Sequence, residues 1–236
     1  MNDTQTLSIG IEHPDVQNVI GIAEELVSKN KIIQIDLLYK ITKRRLKMES
    51  ETIFSIINLL MKRRILVEGS RLTKRNVLLN KYRADIYDFI KTYPGVHFSV
   101  IKRKVLSDGS SGQFIWHLNV LLKFNFIKEV KVKNYTVFLP IEMEEKFGIF
   151  FFLLRDKINL KIAKYLSQKG PVETAEVPHK ILESKGSVYY HVKTLIEFNI
   201  LNAQQSEATG NEEIWLNPEK KQLLIQIAND IESSNF

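Results

Sequence analysis

Gly112–Ile127 reads GQFIWHLNVLLKFNFI, and Gly186–Leu201 reads GSVYYHVKTLIEFNIL. Set together at a shift of 74 residues, the two stretches are identical at Gly112/Gly186, His117/His191, Leu121/Leu195, Phe124/Phe198 and Asn125/Asn199. Seven further positions keep an apolar or aromatic side chain. Phe114, Leu118, Leu121 and Leu122 recur at helical spacing, as do Val188, Val192, Leu195 and Ile196, so each stretch is predicted to be a helix with one buried face. Each helix then meets a polar turn and a short apolar strand. A fainter copy, Thr52–Leu66, aligns Leu59 and Leu60 with Leu121 and Leu122. Internal repeats decide a fold before any single residue does.

Working outward, the second copy is the most regular. A helix over Tyr82–Thr92 is stopped by Tyr93-Pro94-Gly95, because the residue before proline is pushed out of helical geometry. Val96-His97-Phe98 suits a short strand, and Ser99 a cap for a second helix carrying Lys102, Arg103 and Lys104. After the turn Ser107–Ser111 comes the helix from Gly112, then a hairpin, Phe126–Lys133 with Tyr135–Leu139 and Asn134 at its tip. The third copy runs from a helix at Lys157–Gln168 through a second at Thr174–Glu183 to the helix from Gly186. Its hairpin pairs Ile200–Gln205 with Glu213–Leu216. The first copy has helices at Asp15–Ser28 and Ile35–Lys47 and a third capped by Ser50. Strands at Ile65–Val67 and Asn76–Leu79 follow.

Helix, helix, helix, strand, turn, strand is the layout of a winged helix-turn-helix. The expected fold is therefore mainly α with small β wings, an α+β class, as three tandem winged helix-turn-helix domains. They span residues 15–80, 81–140 and 157–217, after a flexible leader at 1–14. Residues 141–156 join the second and third as a connecting helix whose Phe147–Leu154 is too apolar to face water. Residues 218–236 form a terminal amphipathic helix with Leu223, Leu224, Ile227 and Ile231 on one face. Phe147–Leu154 and the terminal helix are the two candidate surfaces for a homodimer.

The net charge of +7 is unevenly spread. Residues 1–80 carry 13 Lys/Arg against 9 Asp/Glu, residues 81–140 carry 10 against 4, and residues 141–236 carry 11 against 14. The cations thus sit with the first two copies, as a surface that meets a polyanion requires. There is no cysteine, which removes disulfides and thiolate metal sites and fits a cytoplasmic location. The first residues lack the basic and apolar regions of a signal peptide, and no apolar run approaches the roughly 20 residues of a membrane span.

Tyr93-Pro94-Gly95-Val96-His97-Phe98, then Gly112…Trp116-His117-Leu118…Leu121, then an apolar ribbon, resembles the winged helix-turn-helix domain of archaeal ArsR/MarR-like transcription regulators. Gly186-Ser187-Val188-Tyr189-Tyr190-His191-Val192…Leu195 is similar to the recognition helix of the same family. The resemblance covers residues 82–140 and 157–217 well and 15–80 loosely. It implies a partner in double-stranded DNA, with a recognition helix in the major groove and a wing on the backbone. Carried over residue by residue, it puts Ser111, Gln113, Trp116, His117 and Asn119 on or near the outward face of the recognition helix. Lys102, Arg103, Lys104, Lys131 and Lys133 would neutralise phosphates. The comparable cations of the first copy are Lys43, Arg44, Arg45, Arg71, Lys74 and Arg75.

The sequence departs from that pattern in two places. The recognition helix of the second copy has no outward arginine, and the helix of the first begins with Glu49 and Glu51. The third copy carries an acidic wing with Glu207, Glu212 and Glu213, so assembly or sensing is expected of it rather than DNA contact. The competing reading is a non-catalytic scaffold of winged helices that binds proteins, as in the ESCRT-II subunits and general transcription factors. His117 and His191 read better as helix histidines packed on their own domains than as metal ligands, since no second ligand recurs at i+3 or i+4. Trp116 and Tyr190 suit either base stacking or packing. With no glycine-rich phosphate loop, nucleophile elbow or paired carboxylates, neither an enzyme nor a cofactor is expected.

Overall fold

The computed structural model describes residues 10–106, 109–225 and 227. In chain order the helices and strands are α1 (Pro14–Ser28), α2 (Ile35–Leu46), α3 (Ser50–Lys62), α4 (Lys74–Val77), α5 (Lys81–Thr92), β1 (Val96–His97), α6 (Phe98–Val105), α7 (Ser111–Lys123), β2 (Ile127–Val132), β3 (Tyr135–Pro140), α8 (Glu145–Leu154), α9 (Lys157–Ser167), β4 (Val172–Glu173), α10 (Val177–Ile181), α11 (Lys185–Glu197), β5 (Leu201–Gln205) and β6 (Glu212–Leu216). By compactness the chain divides into Met1–Phe89 with Ile101–Lys128, and Ile90–Val100 with Glu129–Phe236. The class is α+β, with two three-stranded antiparallel sheets ordered β1-β3-β2 and β4-β6-β5.

The three stretches share backbone features. α3, α7 and α11 each have 13 residues. Ser110 and Ser184 cap the last two, accepting from the amides of Gln113 at 3.1 Å and Ser187 at 3.4 Å. Each helix ends in a left-handed residue, Arg64, Asn125 or Asn199, with φ of 54°, 51° and 56°. The repeated asparagine is thereby explained, since Asn tolerates that conformation better than other side chains bearing a Cβ. The equivalence of Arg64 with Asn125 corrects the alignment of the first copy by one residue. Leu60, not Leu59, takes the place of Leu121, and both are fully buried.

The first unit's core gathers Val16, Val19, Ile20, Ala23 and Leu26 of α1 with Ile53, Ile56, Ile57 and Leu60 of α3 and Leu38 of α2. Among the described residues this segment has no β-ribbon, contrary to the expected strands at Ile65–Val67 and Asn76–Leu79. Ile33 pairs with the intervening turn instead, its amide donating to Ser70 O and its carbonyl accepting from Gly69 N, both at 2.8 Å. Asn76 and Val77 lie in α4, and Val77 and the preceding N-cap residue Thr73 are both fully buried. The Thr73 hydroxyl bonds the Asn76 side chain and holds that turn closed. Ser50 is the first residue of α3 rather than its cap, and its hydroxyl takes hydrogen bonds from Tyr39 and Lys43.

In the second unit, β1 pairs with β3 through Val96↔Phe138 and His97↔Val137, and β4 with β6 through Val172↔Ile214. Strand β4 was not expected from the sequence, being only two residues long and partly buried. Phe150, Leu153 and Leu154 of α8 share one core with Leu139, Ile162, Val188, Leu195 and Ile214. Ile149, Phe151 and Phe152 are partly buried and pack against it. Leu224 and Ile227 join the same core, so the described part of the terminal segment caps this unit. Ile231 and Glu232 of the expected terminal helix, like Ser107 and Asp108 of the expected turn, lie outside the described residues.

Two glycines set the packing of α8. A Cβ on Gly148 would fall 2.0 Å from the Leu139 side chain, and one on Gly95 would fall 2.3 Å from the Gly148 carbonyl. Gly95 also has a φ of 75°, while its amide donates to Phe138 O at 2.9 Å. Gly95→Ala should therefore cost at least about 2 kcal/mol, combining the left-handed penalty with a clash against backbone. Gly186→Ala, with open space around it and a helical backbone, should instead gain about 0.5–1 kcal/mol. Urea denaturation of the two variants checks both signs.

Candidate nucleic-acid interface

In the first unit, α7 presents its polar face outward because Phe114, Leu118 and Leu121 bury the other. Ser111, Gln113 and Asn119 are exposed, and Trp116 keeps 55% of its surface. Lys102 of α6 donates to Ser111 Oγ at 2.6 Å, tying the basic helix to the start of α7. Arg103 and Lys104 beside it are exposed. The placement brings together a basic helix end and a helix face carrying an amide pair and an aromatic ring, all within one unit. Gln and Asn can each pair bidentately with adenine, and an indole can stack on a base or sugar.

His117 is not on that outward face. It is buried, with 4% exposure, and its Nδ1 has no hydrogen-bond partner among the described residues. On the helix His117 stands at the border of the two faces, one turn from outward Gln113 and one turn from buried Leu121, and what covers it comes from α5. Tyr82 lies against its ring at 5.5 Å and Trp116 meets it edge-on at 4.8 Å. Arg83, also buried, donates to Val77 O at 2.5 Å and sets its guanidinium 5.6 Å from the centre of the Trp116 ring. Burial, then the Arg83 charge, pushes the His117 pKa down, and burial lowers that of Arg83. Sequence reasoning missed Arg83, since a lone arginine on an amphipathic helix reads as solvated.

The cations of the first copy are unequal. Arg44 and Arg71 are exposed, without an acidic partner among the described residues. Arg45 grips Glu25 through two oxygens at 2.5 and 3.2 Å, and Arg45 with Lys29 holds the Glu25 carboxyl down at about 2. Arg75 is bound to Gln17 at 2.6 Å and to Glu24 at 3.5 Å. Lys74 donates to Asn125 O at 3.3 Å over the Phe126 ring. Lys43 donates to Ser50 Oγ at 2.8 Å, and the Ser50 bond, then Lys43, lowers the pKa of Tyr39. Tyr39 in turn stacks on Phe54, which occupies the outward face of α3 with Glu51. These pairings leave no local mark in the sequence, because most of them join residues far apart in the chain.

Lys131 and Lys133 belong to the second unit. Lys131 donates to Thr136 Oγ1 at 2.5 Å across the hairpin. Lys133 turns to α11, donating to Thr194 Oγ1 at 2.6 Å, pairing with Glu197 at 3.5 Å and lying 5.0 Å from the centre of the Tyr190 ring. His191, the repeat partner of His117, contacts Asn159 Oδ1 through Nδ1 at 2.9 Å. Among the described residues no cluster of side chains suits a metal ion.

The buried His117 makes stability depend on pH. Its folded-state pKa lies below the ordinary value of 6.5, so the unfolded chain takes up the proton first. Stability from this group is full above about pH 6.5 and is lost as pH falls through the folded-state value. His117→Phe should flatten that part of the stability profile between pH 7 and 5, as thermal melts across the range would read.

No helix among the described residues is long and apolar enough to cross a membrane. No protein-family model matches the chain. Over 141 residues, 60% of this chain, it is 28% identical to an uncharacterised HTH-type transcriptional regulator of Methanocaldococcus jannaschii. The match spans 35% of that protein, so this chain covers about a third of its length.

Proposed function

We propose that this protein is a DNA-binding transcription regulator built of tandem winged-helix domains. The first two contact duplex DNA, and the third serves assembly or sensing. The observation that carries the reading is the α6–α7 pair. Lys102, Arg103 and Lys104 stand at the end of one helix, and Gln113, Trp116 and Asn119 face outward on the next. The distant similarity to an HTH-type transcriptional regulator supports it from outside the structure. In this reading α7 enters the major groove, Gln113 and Asn119 meet base edges, and the lysines of α6 and the β2–β3 hairpin meet phosphates. Arg44 and Arg71 supply the first copy's share. Phosphate neutralisation provides most of the affinity, so binding weakens steeply with salt.

A scaffold that binds proteins is favoured by one observation. Arg45, Arg75 and Lys133 are engaged inside the chain, and the α3 face carries Glu51 and exposed Phe54. Gel shifts of genomic fragments at two salt concentrations separate the readings. Arg103→Glu with Lys104→Glu should weaken binding at least about tenfold on all sequences and lower the salt slope by about 2. Asn119→Ala should instead alter preference at one or two base pairs, costing about 1–3 kcal/mol there. Retention of no fragment at low salt would leave the scaffold standing. The double wing variant Lys131→Glu, Lys133→Glu should also weaken all sequences alike, and unchanged affinity would remove the wing from the interface.

A further inference from the structure

Trp116 stands on the outward face of α7, about one turn from Gln113 on one side and from Asn119 on the other, and keeps 55% of its surface. Its ring is not loose. The buried imidazole of His117 meets it edge-on at 4.8 Å. The Arg83 guanidinium, anchored on Val77 O at 2.5 Å, lies 5.6 Å from its centre. His117 also holds a second exposed ring, Tyr82, at 5.5 Å, and that ring keeps 42% of its surface. Two aromatic surfaces therefore meet solvent around one buried imidazole, all inside the first unit. A ring already fixed in place loses little freedom when something packs on it.

A fully paired major groove makes poor use of such a ring. It shows a protein the edges of its bases, and the commonest specific contact there is an arginine or lysine on guanine. α7 has no arginine, and its one lysine, Lys123, stands in the last turn. Recognition helices meet base edges with their N-terminal residues, far from that lysine. Stacking works differently. It needs the flat face of a base, which the neighbouring pairs of a duplex cover, so an indole gains it only from a base out of the stack. Exposed Arg103 and Lys104 supply charge for the phosphates of such a strand. Residues 81–140 carry 10 Lys/Arg against 4 Asp/Glu, a balance that favours nucleic acid over protein as what covers the rings.

We propose that the α6–α7 face binds a DNA strand at an unpaired base, with Trp116 and Tyr82 as stacking surfaces and Arg103 and Lys104 on the flanking phosphates. The target is thus an opened stretch of DNA, because a fully paired duplex withholds the face that the indole takes. Gln113 and Asn119, to either side of the ring, bring amides to the edges of the stacked base. The proposal rests on the reading of α6–α7 as a nucleic-acid surface and narrows what that surface takes.

The test compares probes of one sequence at low salt: a fully paired duplex, the same duplex with a short mismatched bubble at its centre, and the single strand. Gel shifts with the native full chain give the affinities. The bubble should bind roughly tenfold more tightly than the paired duplex, within what one stacked base contributes. Trp116→Ala should remove that advantage and leave the paired duplex bound as before, and Trp116→Phe should restore most of it. Trp116 and Trp215 are the chain's two tryptophans, so Trp215→Phe leaves Trp116 as the sole reporter. Its fluorescence should be quenched saturably by the bubble and the single strand and not by the paired duplex. Equal affinity for bubble and paired duplex, no quenching, or equal losses on both from Trp116→Ala would each overturn the stacking site. Retention of the paired duplex in those cases leaves the regulator standing. A chain that retains no probe loses both readings, whereas one that takes bubble and single strand but no paired duplex keeps the stacking site and loses the duplex regulator.

Discussion

The backbone turn at the end of each repeat helix is the constraint on which the architecture depends. Arg64, Asn125 and Asn199 take left-handed conformations, and the next amide reaches back to the helix. Ile65 N donates to Leu60 O at 2.9 Å, Phe126 N to Leu121 O at 3.0 Å and Ile200 N to Leu195 O at 2.8 Å. That bond satisfies a carbonyl otherwise orphaned at a helix terminus and reverses the chain. The residues beyond the turn then bury themselves: Leu66, Ile127 and Leu201 are each at most 1% exposed. Without the reversal the apolar strand would run on into solvent. The cost of a left-handed residue with a Cβ, about 1–2 kcal/mol, is smallest for asparagine. Two of the three exits use it.

Beyond that shared exit the copies diverge. The second and third continue into hairpins that recruit a short third strand, β1 or β4. The first has no hairpin among its described residues. Gly69, at a φ of 73°, lets the chain fold back so that Ile33 bonds directly to the turn, and α4 takes the place of a returning strand. One pair of mutual backbone bonds there substitutes for a ribbon.

The helices were legible because burial enforces period: Phe114, Leu118 and Leu121, or Val188, Val192 and Leu195, announce a face without knowledge of what covers it. The register of the first copy was not. Leu59-Leu60 and Leu121-Leu122 look alike, yet Leu60 and Leu121 are the fully buried members, so the match shifts by one. Only the left-handed exit, invisible in an arginine, reveals it. The candidate site divided in the same manner. Gln113, Trp116 and Asn119 follow from helical angle and were found outside, whereas His117, at the border of the two faces, is covered by Tyr82 from another helix. Which cations remain available is a tertiary matter. Arg45 meets Glu25 across 20 residues, Arg75 meets Gln17 across 58 and Lys133 meets Thr194 across 61.

The repeated histidine shows why identity between copies is not shared chemistry. His117 sits in a dry packing of Tyr82, Trp116 and Arg83, where the loss of water and the neighbouring guanidinium both favour the neutral ring. It serves there as a flat spacer beneath a tryptophan that keeps its outer edge in solvent. His191 is held by Asn159 at the wall of a cavity, with Tyr190 edge-on against it and Lys133 over that tyrosine. Both imidazoles stand at the same point of the same helix, so the backbone explains their position and the neighbours their use. A surface carrying cations and amides surrounds one; a half-open cavity lined by Lys133 and Arg155 adjoins the other. The like stretches give both histidines one backbone setting, and burial and charge around each then set their surroundings apart.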